Sequence, residues 1–552
     1  MPRRRHHARG IVMLACVPAV AFGPAGCRSH DDRPQDDQLQ ASRTAGAAPV
    51  GSTAYPVPPG AVFVAPGGDD QAAGTRQAPL RTLGAAVVKA PVGGTIVLRG
   101  GVYHESVKVP EGKQVTIQSA PHEIVWLDGS TPVTGWRQEN GAWVRGGWTT
   151  RLDASPTYTK GAKPSDDPAF QFVSPVHPMA AHPDQLWVDG AAQTQVGSLA
   201  EVRKGTFYVD ETAQRLYMGT DPRGHDVRAS TLGKALTLRA DNSALRGIGV
   251  RRYATSLPEL GSVRITGQGA TLENVTVTGS ATTGLSVTGT SARIRHVTTS
   301  GNGMLGVHGN YADDLRMESV RTEHNNLEHF QYAPVSGGMK ITRSRRVALI
   351  DSVVADNLGK GVWLDESVYD ITITGDQILR NADHGVSLEL SAKAVVARNV
   401  FTGNVNDGLN VNNTSDVRIE KNTMSGNGRT IELVQDSRTP GDPRVPGRDP
   451  RNAVPDPAMT WRIEKITIRG NRLSRPRPGT PCLLCIRGVV RRKPVGAMGV
   501  LADGNVYVRS DPSTPRSLIS WSGPAGPATE FQKLAQFRSV TGQETHGRVE
   551  GD

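Results

Sequence analysis

Six short segments recur through the middle of the chain: LENVTVTG (272–279), IRHVTTSGN (294–302), MESVRTEHN (317–325), LIDSVVADN (349–357), VARNVFTGN (396–404) and IEKNTMSGN (419–427). A polar residue marks each copy, at Asn274, His296, Ser319, Ser352, Asn399 and Asn422, spaced by 22, 23, 33, 47 and 23 residues. The interval of 47 holds two turns, because TGDQILRN (374–381) supplies a further copy at Gln377. A second ladder follows the first: GLSV (284–287), GVHG (306–309), GMKI (338–341), GVWL (361–364), GVSL (385–388) and GLNV (408–411). Apolar and polar residues alternate within each run, and Gly, Asn and Asp separate the runs, so each period reads as two or three short strands. Such strands cannot bury their inner faces alone. Stacking successive periods closes a continuous core and pairs each strand with its equivalents above and below. Asn residues at the turns can then hydrogen-bond along the axis and tolerate the positive φ of sharp corners. The pattern predicts an all-β chain folded as a parallel β-helix.

Composition agrees with a globular body. Of 552 residues 37% are hydrophobic and 21% charged, and beyond the N-terminus no apolar run approaches the ~18 residues of a membrane span. The net charge of +11 is spread along the chain. It suits a solvated surface or attraction to an acidic polymer. Nucleic acid is not expected, since no basic stripe carries interleaved aromatics. A basic stretch (1–10), a 12-residue apolar run (11–22) and GPAGC (23–27) read as an export signal over residues 1–26. The signal resembles the bacterial lipoprotein type, with Pro24 where an aliphatic residue is usual. That resemblance makes Cys27 the expected lipid anchor and the only membrane contact, on an extracellular or cell-surface monomer. Residues 27–60 read as a flexible tether. Cys482 and Cys485 are too few for a structural zinc site. Three residues apart on an extended strand they would lie roughly 10 Å from each other, so a disulfide requires a bend there, and two buried thiols are the alternative.

The segment VFVAPGGDDQAAGTRQAPLRTLGAAVVKAPVGGTIVLRGGVYHESVKV (62–109), with SGGMKITRS, GKGVWLDES and HGVSLELSAKAVVARN, resembles secreted bacterial right-handed parallel β-helix repeat proteins of the pectate-lyase-like superfamily. The resemblance covers about residues 61–552. It implies a capping helix, readable independently from Leu83, Ala86, Val87 and Ala90 on one face, and first coils within 61–121. Residues 122–243 lack the coil period and form an expected β-rich insertion, with a hairpin pairing Tyr208 and Tyr217. Repeats fill 244–428, a Pro- and Arg-rich loop 429–461, and the last coils with a C-terminal cap 462–552, where Phe531, Leu534 and Phe537 have helical spacing.

Counting from the Gly of the second ladder, Asp365, Glu389 and Asn412 share one position on consecutive coils, about 4.8 Å apart. His308 and Lys340 fall in the neighbouring column with Trp363, Ser387 and Asn410. Stacked carboxylates call for a cation. The superfamily resemblance implies a lyase or epimerase on an acidic polysaccharide, with calcium on Asp365, Glu389 and Asn412 and a base among Lys340, Lys393 and the histidines. SLELSAK (387–393) resembles the stretch of chondroitinase-B-like lyases in which Glu binds calcium and Lys is the base, and NADHG (381–385) resembles the Asp-Pro-His segment of mannuronate epimerases. The lengthened coil 323–338 adds His324, His329 and Tyr332 as candidate sugar contacts beside His308, Trp363 and Asn410. Two further readings stay open: a non-catalytic glycan- or cell-wall-binding surface, and a glycoside hydrolase using Asp365, Glu366 and Glu389.

Overall fold

The computed structural model describes residues 45–335, 337–442, 445–488, 499–511, 513–522 and 528–550. The export signal and Cys27 lie outside these. Three sheets of 13 strands each run along the molecule. The first extends from Val62–Val64 to Val500–Asp503, the second from Gly101–Tyr103 to Arg548–Glu550, and the third from Val107–Val109 to Thr529–Phe531. Strands pair in parallel, coil on coil, until Ser517–Trp521 meets Thr529–Phe531 antiparallel at the far end. The alternation explains the core. Val347 and Leu349, Ile371 and Ile373, Ala394 and Val396, then Val417 and Ile419 stack inward on four successive coils and join one buried cluster. The chain is a parallel β-helix, as the repeat predicts.

The recurring polar residues divide between two adjacent columns. Asn274, His296 and Ser319 sit at the corner from first to second sheet with φ near +50°, alongside Asp351. Ser352, Asn399 and Asn422 lie one residue further on and point inward. The copy between Ser352 and Asn399 is Asp376, not Gln377: Ser352 N donates to Asp376 Oδ1 at 2.7 Å and Asp376 N to Asn399 Oδ1 at 2.8 Å. Gln377 belongs to the following strand, opposite Val353 and Val400. From Asn399 the amides chain through Asn422, Asn471 and Asn505 at 2.9–3.1 Å. A second amide ladder fills the next corner, from Asn302 through Asn325, Asn357, Asn381 and Asn404 to Asn427 at 2.8–3.0 Å. Each amide donates and accepts, which satisfies buried groups that no strand reaches.

The helix Leu83–Lys89 closes the near end, with Leu83, Ala86 and Val87 buried and Glu105 accepting from Leu83 N and Gly84 N at 2.9 and 3.1 Å. At the far end Leu534–Thr541 covers the core through Leu534 and Phe537, and Phe537 meets the rings of Trp521 and Phe531 edge-on. The insertion is an eight-stranded sheet lying between Asp128 and Leu236. The expected limits of 122–243 therefore included a coil strand at each end: Val125–Asp128 pairs within the second sheet and Leu236–Leu238 within the third. Tyr208 faces Tyr217 across the expected hairpin. The expected 429–461 loop likewise begins late, because Arg429–Gln435 is a full strand of the third sheet whose Ile431 and Leu433 face the core. Cys482 and Cys485 form a disulfide at a Cα separation of 5.7 Å, so the chain bends between them rather than running extended.

Residues 45–60 are not a tether. They run back along the corner between the first and second sheets. Gly46 N donates to Ser319 O at 2.7 Å, Ala47 N to Thr298 Oγ1 at 2.9 Å and Ala48 N to Asn274 Oδ1 at 3.3 Å. Further down the axis Asn274 Nδ2 donates to the Tyr55 hydroxyl at 2.8 Å and Gln118 Nε2 to Pro56 O at 2.9 Å. Polar composition suggested mobility, but the open backbone groups of that corner supply partners for this segment's own. Gly46 has φ +98°, and a Cβ there would lie 2.7 Å from Thr298 Oγ1 and 3.0 Å from Arg321 Cβ. Gly46→Val should lift this strap. Limited proteolysis then cuts ahead of residue 57 sooner while the melting of the coils changes little; an unchanged cleavage pattern would show that the strap does not depend on this approach.

Candidate active site

The third sheet carries the candidate residues in the predicted register. His308, Lys340, Trp363, Ser387, Asn410 and Glu432 are successive partners in one outward column. Asn310, Thr342 and Asp365 form the neighbouring column, and Glu389, beside Asn412, follows one place beyond the Leu364–Leu388 pair. A cavity of about 980 Å³ opens over both columns. Its walls come from three interruptions of the coil: the insertion (Tyr158, Phe170, Phe172), the lengthened coil (Ala333, Pro334, Val335) and the late loop (Arg438, Pro446).

At the cavity floor the carboxylates are held individually. Lys340 Nζ donates to Asp365 Oδ2 at 2.9 Å and to Pro334 O at 2.7 Å, and both side chains are buried. Glu366 N donates to Asp365 Oδ1 at 2.7 Å. Glu389 accepts from Trp363 Nε1 at 3.0 Å, and its other oxygen lies 2.7 Å from Arg438 Nη2. Burial, and then the neighbouring Asp365, push the Glu389 carboxyl above its ordinary range against the pull of Arg438. Glu366 is raised by the same two causes, with Arg343 Nη2 2.6 Å from its Oε2. Burial, and then Lys340, press the His308 imidazole down to about 4, so it is neutral at neutral pH, 3.1 Å from Ser286 Oγ.

A second charged group adjoins the first. Lys360 Nζ is 3.2 Å from Asp383 Oδ2, and His384 Nδ1 is 2.9 Å from Asp407 Oδ2. Arg429 bridges the fully buried Asp407 and Glu432, and Arg487 reaches Glu432 from the next coil. Burial opposes ionisation of Asp407, but His384 and Arg429 outweigh it and the carboxyl lies below its usual range. Burial and then Asp407 raise Glu432 to about 7 despite its two arginines.

Several expected site residues stand elsewhere. Lys393 lies on the first sheet, around the corner from the cavity, with Nζ 3.0 Å from Asp370 Oδ2 and its side chain half exposed. One residue of positive φ at Leu390 and another at Lys393 itself carry the chain round that corner, so a base at this position faces away from Glu389. His324 is exposed at a positive-φ corner, and His329 stacks on His177 of the insertion at 4.4 Å. Tyr332 is not among the residues lining the cavity, and its carbonyl accepts from Lys360 Nζ at 3.4 Å. The lengthened coil thus acts through its backbone. Trp363 lines the cavity, but Lys340 and Lys360 lie 3.3 and 4.0 Å from its ring centroid, leaving little face for a sugar. Asn410 commits its amide to Asp407 and Glu432 at 3.1 and 3.3 Å.

Calcium does not fit the acidic column. It would have to displace Lys340 from Asp365 and Arg438 from Glu389, and among the described residues no three His, Cys, Asp or Glu converge as ligands. Lys360, Asp407, Arg429, Glu432, Arg438 and Arg487 were not anticipated. Glu432 had a signal, since TIELV continues the column of Asn410; placing the loop boundary at 429 hid it.

Residues 261–438 match the family model described as a right-handed β-helix region. Over 74 residues the chain is 38% identical to the protein YwoF of Bacillus subtilis (strain 168), and over 72 residues 39% identical to pectate lyase PEL9 of Emericella nidulans. These stretches cover 13% of this chain and span about a sixth of either relative, 16% and 17% of their lengths. Among solved structures, the complex of XylC with xylose superposes with a TM-score of 0.61 at 13% identity, covering 89% of this chain and 86% of that one. At this identity the likeness is one of fold.

Proposed function

We propose that this chain, a right-handed parallel β-helix of the pectate-lyase-like superfamily, is a carbohydrate-acting enzyme that hydrolyses a glycosidic bond with Glu389 as acid and base and Asp365 as nucleophile. The carrying observation is the pair itself. Two carboxylates directly follow the paired Leu364 and Leu388 on adjacent strands, where a backbone spacing of about 4.8 Å is compatible with the ~5 Å carboxyl separation of retaining glycosidases. Their surroundings differ as the two roles require. Glu389 is raised, which keeps a proton for the leaving oxygen; Asp365 is held by Lys340 and a backbone N–H. In the first step Glu389 protonates the departing oxygen while Asp365 attacks the anomeric carbon. In the second, ionised Glu389 takes a proton from a water whose oxygen attacks the anomeric carbon and displaces the Asp365 carboxylate, releasing the sugar and regenerating both groups.

Charge balance favours this over abstraction of a proton from a uronate. Among the described residues, all seven lysine and arginine side chains lining the cavity are matched to a carboxylate: Arg264, Lys340, Arg343, Lys360, Arg429, Arg438 and Arg487. Lys340 Nζ in particular is committed to two hydrogen bonds, to Asp365 Oδ2 and to Pro334 O. The test is incubation with a panel of glycosyl fluorides and oligosaccharides, following the anomer released by NMR. Hydrolysis with retention supports the assignment. An unsaturated uronate appearing in the ultraviolet would overturn it in favour of elimination, and binding without turnover would leave a carbohydrate-binding surface.

Arg438 provides a pH test. Its guanidinium lowers the Glu389 carboxyl, so Arg438→Gln raises that group further. Because the acid must be protonated, the alkaline limb of the kcat/KM profile moves to higher pH. A limb that stays put would assign the proton to another group.

A further inference from the structure

We propose that the irregular segment 155–182 of the insertion belongs to the substrate site, with Tyr158 and Phe170 forming a stacking platform for a second pyranose ring next to the sugar held by Asp365 and Glu389. The inference rests on the hydrolase assignment and names the substrate class: a carbohydrate of at least two linked sugars.

The platform is aromatic surface left open beside a polar floor. Tyr158, Phe170 and Phe172 line the same cavity as the carboxylate pair, and Phe170 and Tyr158 remain 55% and 38% exposed. Trp363 cannot serve, because two ammonium groups cover its ring. A pyranose has an apolar face of C–H groups that stacks on an aromatic ring, and an aromatic side chain offers this at small entropic cost. The Tyr158 ring is also held in place. Tyr158 and Phe172 meet edge to face at 4.7 Å and 61°, while Gln331 N donates to Phe172 O at 2.9 Å. Behind them Ala180 and Ala181 are buried with Leu257, Met304 and Phe330, and His177 stacks on His329. The insertion leaves the coil at the corner that enters the third sheet, between Asp128 and Leu236, which places this segment on the site face.

The test compares two leaving groups in the double variant Tyr158→Ala/Phe170→Ala, which removes exposed rings and spares Phe172. For xylotetraose, cellotetraose or tetragalacturonate, whichever the parent cleaves, kcat/KM should fall about tenfold or more, mainly through KM. For the matching glycosyl fluoride, whose leaving group is one atom, it should stay within about twofold on the same stacking argument. Equal losses on both substrates, or no loss on the oligosaccharide, would overturn the platform. Calorimetric titration of the Glu389→Gln protein with the same oligosaccharides separates the two proposals. Binding that weakens when the rings are removed upholds the platform even if hydrolysis is never observed. Binding indifferent to the rings, or no binding to any of the three, overturns it.

Discussion

Glu389→Gln is expected to lower turnover of an unactivated glycoside by roughly 10²–10⁴-fold, the usual contribution of a positioned proton donor. The amide keeps the hydrogen-bonding shape beside Trp363 and Arg438 but cannot protonate the leaving oxygen. A fluoride leaving group needs little protonation, so its first step should survive and the glycosyl-enzyme should accumulate. Added azide then restores turnover, because an anion attacks without a general base. Asp365→Asn should abolish turnover of every substrate, with no rescue by leaving group. It also leaves the buried Lys340 ammonium without its carboxylate, so its melting temperature should fall. Equal losses on fluoride and unactivated glycoside in Glu389→Gln would sink the acid assignment. Residual turnover unchanged in Asp365→Asn would sink the nucleophile.

The second large effect lies in the core. Asp376 occupies an inward position filled by asparagine on the next four coils, at Asn399, Asn422, Asn471 and Asn505. Its Oδ2 is buried without a partner, and burial raises its carboxyl well above the ordinary range. Folding therefore takes up a proton. A group raised in the folded state stabilises fully below the unfolded value of about 3.9 and loses that contribution as pH rises. Asp376→Asn removes the titration and supplies a donor directed at the Leu349 carbonyl, as Asn399 Nδ2 donates to Ile373 O at 2.9 Å. At neutral pH the variant should be more stable by about 1–3 kcal/mol. The gap should widen with pH and narrow towards pH 4. Melting curves that remain parallel from acid to alkaline pH would show that Asp376 is not the titrating group.

The coil and the register of its outer face were legible because side-chain alternation has a fixed period of two. Gly-anchored counting placed Asp365 beside Glu389, and the strand pairing agrees. The partners delivered by chain that leaves the repeat escaped, as did several charged residues on the coil strands themselves. Arg438 reaches Glu389 from a loop whose sequence has no period, and the Pro334 carbonyl reaches Lys340 from another. Lys393 failed for a related reason: four residues along the sequence from Glu389, it lies beyond two backbone reversals that composition does not announce. The shift between the Asn274 and Ser352 columns is a one-residue register difference, which inward packing decides and similarity of polar residues does not.

A solenoid built only of neighbouring coils can form wherever its first turns meet and then grow in either direction. The strap at residues 45–56 breaks that locality. Ala47 bonds a residue 251 positions later and Ala48 one 226 positions later. Residues 53–56 can dock on the early coils through Gln118 and His122, but residues 46–48 must wait until the coils carrying Asn274, Thr298 and Ser319 have formed. Docking of residues 46–48 is a late event that fastens the early coils to the middle ones, so this strap acts as the latch on a structure that later residues have already built.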